Sequence, residues 1–287
     1  MGTGQGVIPD QQVASLSLAA TLREIATITP YNGVAVDPTS DLPTLVDLCA
    51  GPGAGLNEQL DILKAYLGTD DDDIPVALGA MSFPWLVASV AFAAYLSARR
   101  VPDLSPAATS YTFADYGYPL DITFRSPRFT ALPDDPAAGY PDVTVVAEEA
   151  DLLAVLQCEL GAHIEGPLQV MRARRARVGM GTIRRTAREA CLSALCSAEA
   201  KLGRLPEMPG DIAAIFRTGG VDNPLLLRPL PVVAGYPTGS GGQAASVELT
   251  TCCLRFRIPE RGTCPACPNQ PPEERTRRMA ESAMLYG

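Results

Sequence analysis

The stretch Ser246–Pro268, SVELTTCCLRFRIPERGTCPACP, decides how the rest of the chain is read. Four of the eight cysteines fall inside it: Cys252 beside Cys253, ten intervening residues, then Cys264 and Cys267 in a C-x-x-C turn. Val247–Pro259 alternates in the manner of a strand, and a turn near Pro259–Gly262 returns the chain, so a cysteine-rich C-terminal hairpin is predicted to gather the four sulfurs. Four thiolates suit iron–sulfur or zinc chemistry. A zinc ribbon usually wraps its ion with two C-x-x-C knuckles, and this segment has one. Adjacent cysteines on extended backbone point to opposite sides, which serves one tetrahedral ion badly and a two-iron cluster better. Two disulfides are the third option, disfavoured in a reducing compartment.

The other cysteines, Cys49, Cys158, Cys191 and Cys196, stand singly or on helices among apolar neighbours, and Cys191 reads as core. Glu273–Leu285 reads as a closing helix after the cysteine segment, and the Gly- and Ser-rich run 235–246 before it as a flexible connection. Leucines and other apolar residues at three- and four-residue spacing predict a long helix over Glu148–Arg177, kinked at Gly166–Pro167, and another over Thr182–Leu202. His163, the only histidine, falls among the apolar residues of the first and reads as buried and structural. Short β-favouring runs at Asp121–Phe124, Arg128–Leu132 and Val143–Ala147 predict a small sheet. Further upstream, Val13–Ile28, Ser40–Cys49 and Gly55–Leu67 read as helices, and Asp70–Asp73 as a solvated acidic loop, with a cation or partner patch as the alternative, before a strand-like Ile74–Leu78. Met81–Ala98, an 18-residue apolar run interrupted by Pro84 and three serines, reads as a buried core helix, not a membrane span.

The expected fold class is therefore α+β, mainly α-helical, with a helical body, a small sheet and the cysteine-rich hairpin. Three parts are expected: 1–147, helical with the small sheet; 148–245, the helical body and flexible connection; and 246–287, the metal-binding segment.

Acidic residues number 32 against 23 basic ones, a net charge of -9, which excludes a general nucleic-acid binder. Residues 1–150 carry 6 basic and 19 acidic side chains, and the remainder carry 17 and 13. An anionic ligand therefore belongs with the second half. Met1–Val13 is polar and glycine-rich, so a cytoplasmic address and reduced thiols are expected. Leu45–Gly53 resembles the first motif of Rossmann-type methyltransferases, but the second strand ending in an acidic residue is missing and strands and helices do not alternate. No other nucleotide motif or nucleophile elbow occurs. A redox protein of this sequence would take its electrons from another protein.

The string Cys252-Cys253, ten residues, Cys264-x-x-Cys267-Pro268, filled by Leu254-Arg255-Phe256-Arg257-Ile258-Pro259, resembles the C-terminal signature of FhuF-type ferric siderophore reductases. The tryptophan and asparagine of that family's second helix are absent from Thr182–Ala198, so the C-terminus carries the resemblance. It implies a [2Fe–2S] cluster on Cys252, Cys253, Cys264 and Cys267 that passes single electrons to ferric iron held by a siderophore. It also implies a helical, palm-like body of the siderophore-synthetase kind, and an external donor such as a ferredoxin or ferredoxin reductase. Cations near such a cluster favour its more negative reduced state. Arg255, Arg257 and Arg261 lie between the cysteine pairs, while Arg172, Arg174, Arg175, Arg177, Arg184, Arg185 and Arg188 surround the turn at Gly179–Gly181. Arg174 and Arg185 represent the second set as candidate contacts for an anionic chelate or acidic partner; the plain alternative for all of them is solvated surface. The competing reading of the whole chain is a non-enzymatic protein whose tail is stapled to its body by zinc or a cluster.

Overall fold

The computed structural model describes residues 17–28, 33–50, 55–174, 176–218, 223–258 and 260–286. At its centre lies the helix α4 (Asp73–Ala98), preceded by α1 (Leu18–Ile28), β1 (Val34–Val36), α2 (Leu45–Cys49) and α3 (Gly55–Tyr66). Short strands β2 (Arg100–Pro102), β3 (Thr109–Phe113), β4 (Pro119–Phe124), β5 (Phe129–Ala131) and β6 (Val143–Val145) lead to the long helices α5 (Glu149–Ala173) and α6 (Met180–Lys201). Then come α7 (Met208–Phe216), the strands β7 (Val233–Pro237) and β8 (Gln243–Val247), and the last helix α8 (Pro272–Tyr286). The fold is α+β and mainly helical.

Because α4 is apolar on every face, it is stable only when surrounded. It packs most extensively on α6, with α1, α3 and α5 around it. It is the one described helix long and apolar enough to cross a membrane, and most of it is buried inside the fold. Ile74–Leu78, read from sequence as a strand, forms its first turns: an all-apolar run fits a buried strand and a buried helix equally, and the 26-residue length decides for the helix. Pro75 falls in the first turn, where its missing N–H goes unneeded. Pro167 lies inside α5, which runs unbroken from Glu149 to Ala173.

The small sheet is two sheets. One has the order β1-β4-β3, with β1 parallel and β3 antiparallel to β4; the other has the order β2-β5-β6, with β2 antiparallel and β6 parallel to β5. The β3–β4 turn comes so close to α3 that a Cβ on Gly117 (φ 85°) would stand 2.4 Å from the Gln59 carbonyl oxygen. That glycine sets Tyr116 and Tyr118 beside Tyr66 at the end of α3. One apolar core runs from Leu18 to Val247, so residues on both sides of position 147 share it. Leu45–Cys49 is a helix capped by Thr44 and Asp47, so the methyltransferase-like run does not begin with a strand.

His163 is fully buried on α5; its Nδ1 donates to the Leu104 carbonyl oxygen at 2.5 Å, which leaves Nε2 to accept from the Tyr111 hydroxyl. A second proton would have nowhere to point, and burial lowers the imidazole pKa from 6.5 to about 4. Since the folded value lies below the unfolded one, this contribution to stability is complete above pH 6.5 and declines as pH falls toward 4. The expected loss is about 3 kcal/mol over that interval. Urea unfolding of wild type and His163→Gln from pH 7 to 4.5 measures it: the difference between the two curves shrinks with acid, whereas a pH-independent difference contradicts the assignment.

Candidate metal centre

Strands β7 and β8 form a hairpin, antiparallel from Val233↔Val247 to Pro237↔Gln243, and β8 lies against α6. Among the described residues the strand expected over Val247–Pro259 does not form beyond Val247. β8 ends at Val247, and the cysteine segment continues as irregular chain with a single 3-10 turn at Arg255–Arg257. The cause is a buried carboxylate on α6. Glu189, 1% exposed, accepts from the backbone N–H of Thr250 and of Thr251 (3.2 and 3.1 Å) and from both threonine hydroxyls, the Thr251 one at 2.7 Å. Two N–H groups that a strand would spend on a neighbouring strand are spent on a side chain. Leu254, at φ 60°, then turns the extended run back.

Arg185, one turn before Glu189 on α6, completes this anchor. Its guanidinium meets Glu189 at 3.0 Å and the Thr250 hydroxyl at 2.5 Å, and donates to the carbonyls of Arg228 and Pro229. On the other side of the loop, Arg257 reaches Asp71 and Asp73 at 3.0 and 3.2 Å. Asp73 is 3% exposed and also accepts from the backbone N–H groups of Arg177 and Val178. Burial pushes its pKa up, but these donors outweigh it and leave the carboxyl below its usual range. The acidic run is therefore not a wholly solvated loop: Asp71 and Asp73 dock the cysteine segment, and Asp72 takes Arg174 and Lys64, each at 3.1 Å. A third anchor comes from α8, where Arg278 donates to the Thr263 carbonyl at 2.8 Å and to the Gln270 side chain at 2.6 Å.

The cysteine segment is held on these three sides. None of the chain's eight cysteines is disulfide-bonded. Cys253 is buried against Leu63, Leu67, Ile74, Leu78 and Ile258, with Cys264 packed on the same cluster. The Sγ atoms of Cys253 and Cys264 are 3.9 Å apart. A tetrahedral metal with bonds of about 2.3 Å holds two thiolates roughly 3.8 Å apart, so this pair is spaced for one metal. The Cys252 sulfur accepts from the Leu254 N–H at 3.4 Å and the Asn269 amide at 3.5 Å. The neighbouring Cys264 thiol, opposed by burial and helped by the Arg255 N–H, lowers the pKa of Cys253; Cys264 itself is raised by that neighbour and by burial. Cys191 and Cys196, sealed in the α6 core, are pushed up to about 12 by burial. Among the described residues no group of three or more His, Cys, Asp or Glu side chains is gathered to hold a single ion; two of the four sulfurs, those of Cys253 and Cys264, are in contact.

The arginines divide. Arg174 (Asp61, Asp72), Arg177 (Asp71, Asp73), Arg184 (Glu165), Arg185 (Glu189) and Arg257 (Asp71, Asp73) all have carboxylate partners. Arg175 lies outside the described residues. Arg255 and Arg261, between the cysteine pairs, have no carboxylate partner among the described residues. The Arg261 guanidinium stands 5.3 Å from the centre of the Tyr66 ring, Tyr116 lies against Tyr66, and both tyrosines are exposed.

Residues 250–268 match the family model of the FhuF 2Fe-2S C-terminal domain, which makes [2Fe–2S] its cofactor, and within this segment the sulfurs of Cys253 and Cys264 have the spacing of two thiolates on one metal. The match covers the cysteine segment alone, and no curated protein matches the chain. Glu189, Asp71, Asp73 and Arg278 escaped the sequence reading. The one local trace is Arg185 four residues before Glu189, a common pairing on a solvated helix face.

Proposed function

We propose that the protein is a cytoplasmic ferric-siderophore reductase in which Cys252, Cys253, Cys264 and Cys267 hold a [2Fe–2S] cluster. The observation that carries this reading is the coincidence of the FhuF 2Fe-2S C-terminal match at residues 250–268 with four unbonded thiols in that same segment, two of them 3.9 Å apart. When bound, the cluster supplies a one-electron reductant. The chain's residues do the rest. Leu63, Leu67, Ile74, Leu78 and Ile258 keep water from Cys253, while Cys252 and Cys264 are partly exposed and bring the centre to the surface. Arg255 places a cation and a backbone N–H at Cys253, which favours the more negative, reduced form. Arg261, Tyr66 and Tyr116 form an exposed face, suited to an incoming chelate or donor. Arg174, Arg185 and Arg257 are anchors of the scaffold in this reading, because their charges are already matched.

The substrate is Fe(III) in a siderophore; one electron converts it to weakly held Fe(II), and the ligand need not be cut. With no nucleotide motif in the sequence, the electron comes from a ferredoxin or a ferredoxin reductase. The test is anaerobic and spectroscopic. NADPH alone leaves the visible spectrum unchanged, NADPH with a ferredoxin and its reductase bleaches it, and adding a ferric siderophore restores it while Fe(II) appears in a chelator trap. Bleaching by NADPH alone contradicts the external donor. A colourless protein with one zinc per chain makes the centre a staple and not a reductant.

A further inference from the structure

We propose that the cluster is ligated crosswise, one iron by Cys253 and Cys264 and the other by Cys252 and Cys267. Each iron then takes one thiolate from the adjacent pair and one from the C-x-x-C turn. The inference rests on the [2Fe–2S] reading of this site and adds the connectivity, which sequence spacing leaves open among three pairings.

Three observations carry it. The Sγ atoms of Cys253 and Cys264 are 3.9 Å apart, the spacing of two thiolates on one tetrahedral metal. Cys253 and Cys264 share one wall, the apolar cluster of Leu63, Leu67, Ile74, Leu78 and Ile258. Cys252 does not join that wall: its sulfur takes a hydrogen bond at 3.5 Å from Asn269, two residues beyond Cys267. The backbone gives the reason. Neighbouring side chains on irregular, extended chain diverge, so Cys252 and Cys253 address opposite ends of a two-metal site. The Cys264–Cys267 turn, closed by the Cys267 N–H on the Cys264 carbonyl at 3.1 Å, then presents one sulfur to each. Sequential pairing, Cys252 with Cys253 and Cys264 with Cys267, would require the two adjacent sulfurs to converge and the 3.9 Å pair to separate.

The test reads sulfur proximity first without metal. Four double-serine variants of the full chain are made, each leaving two cysteines of the segment, and the apo-proteins are treated with diamide. Two thiols lose two electrons and two protons to form one disulfide, and diamide is reduced to the hydrazine. The variants that keep Cys253 with Cys264, or Cys252 with Cys267, are expected to close at least about tenfold faster than those keeping Cys252 with Cys264 or Cys253 with Cys267. Circular dichroism confirms that each variant is folded before comparison. The second arm uses single serine variants with reconstituted clusters, whose alkoxide replaces one thiolate. Cys253→Ser and Cys264→Ser are expected to share one set of EPR g-values in the reduced state, and Cys252→Ser and Cys267→Ser another. Faster closure of the other crosswise pairs, or spectra that group Cys252→Ser with Cys253→Ser, overturns the pairing while leaving the cluster assignment intact. A wild-type protein that binds zinc and no sulfide overturns both.

Discussion

Cys253→Ala and Cys264→Ala each abolish the visible absorption of the purified protein, whereas Cys191→Ser keeps it in full. Wild type is expected to hold about two irons and two sulfides per chain, since four thiolates complete the tetrahedra left open by two bridging sulfides. Removing either sulfur of the 3.9 Å pair leaves one iron with a single protein ligand, and alanine offers no substitute donor. Cys191 is 0% exposed in the α6 core, away from the cysteine segment, so its serine variant lowers stability without touching the centre. Iron, sulfide and zinc assays on freshly prepared protein decide it. Equal loss in all three variants would mean that the ligands are misassigned.

The second large effect lies outside the cysteines. Glu189→Ala is expected to destabilise the protein by about 3–5 kcal/mol, as breaking a buried charged network does. It strands the donors of Thr250, Thr251 and Arg185 together. The same variant should lose cluster on dilution or mild chelation faster than wild type, because the residues ahead of Cys252 are no longer fixed. Urea unfolding gives the first quantity, and the rate of bleaching under EDTA gives the second. Glu189→Gln keeps one carbonyl oxygen and should fall between. A bleaching rate equal to wild type in Glu189→Ala would make Glu189 a residue of the fold alone, without influence on the centre.

Much of the body could be read from local pattern. The three- and four-residue spacing of Leu152, Leu156, Leu160, Ile164, Leu168 and Met171 marks α5, and every one of these side chains is buried. The four cysteines announced themselves by density and spacing. What local pattern could not supply was partnership across the chain. Thr250 and Thr251 look like strand residues until Glu189, 61 and 62 positions away, takes their hydrogen bonds. Part of the basic band around Gly179 looks like a docking surface because the carboxylates that match Arg174 and Arg177, Asp61, Asp72 and Asp73, lie in the other half of the chain. Part of the separation of charge between the halves, read as a field for attracting ligands, thus joins those halves to each other through Arg174, Arg177 and Arg257.

The loop's three moorings, at Glu189, at Asp71 with Asp73, and at Arg278, use no metal. Many small cysteine centres are scaffolds that collapse once stripped, so that losing the inorganic part means losing the polypeptide. Here the cradle is set by carboxylates and a guanidinium that persist whether or not iron and sulfide are at hand. The chain is therefore expected to keep its fold when the cofactor is stripped, with the cysteine loop still moored for reloading.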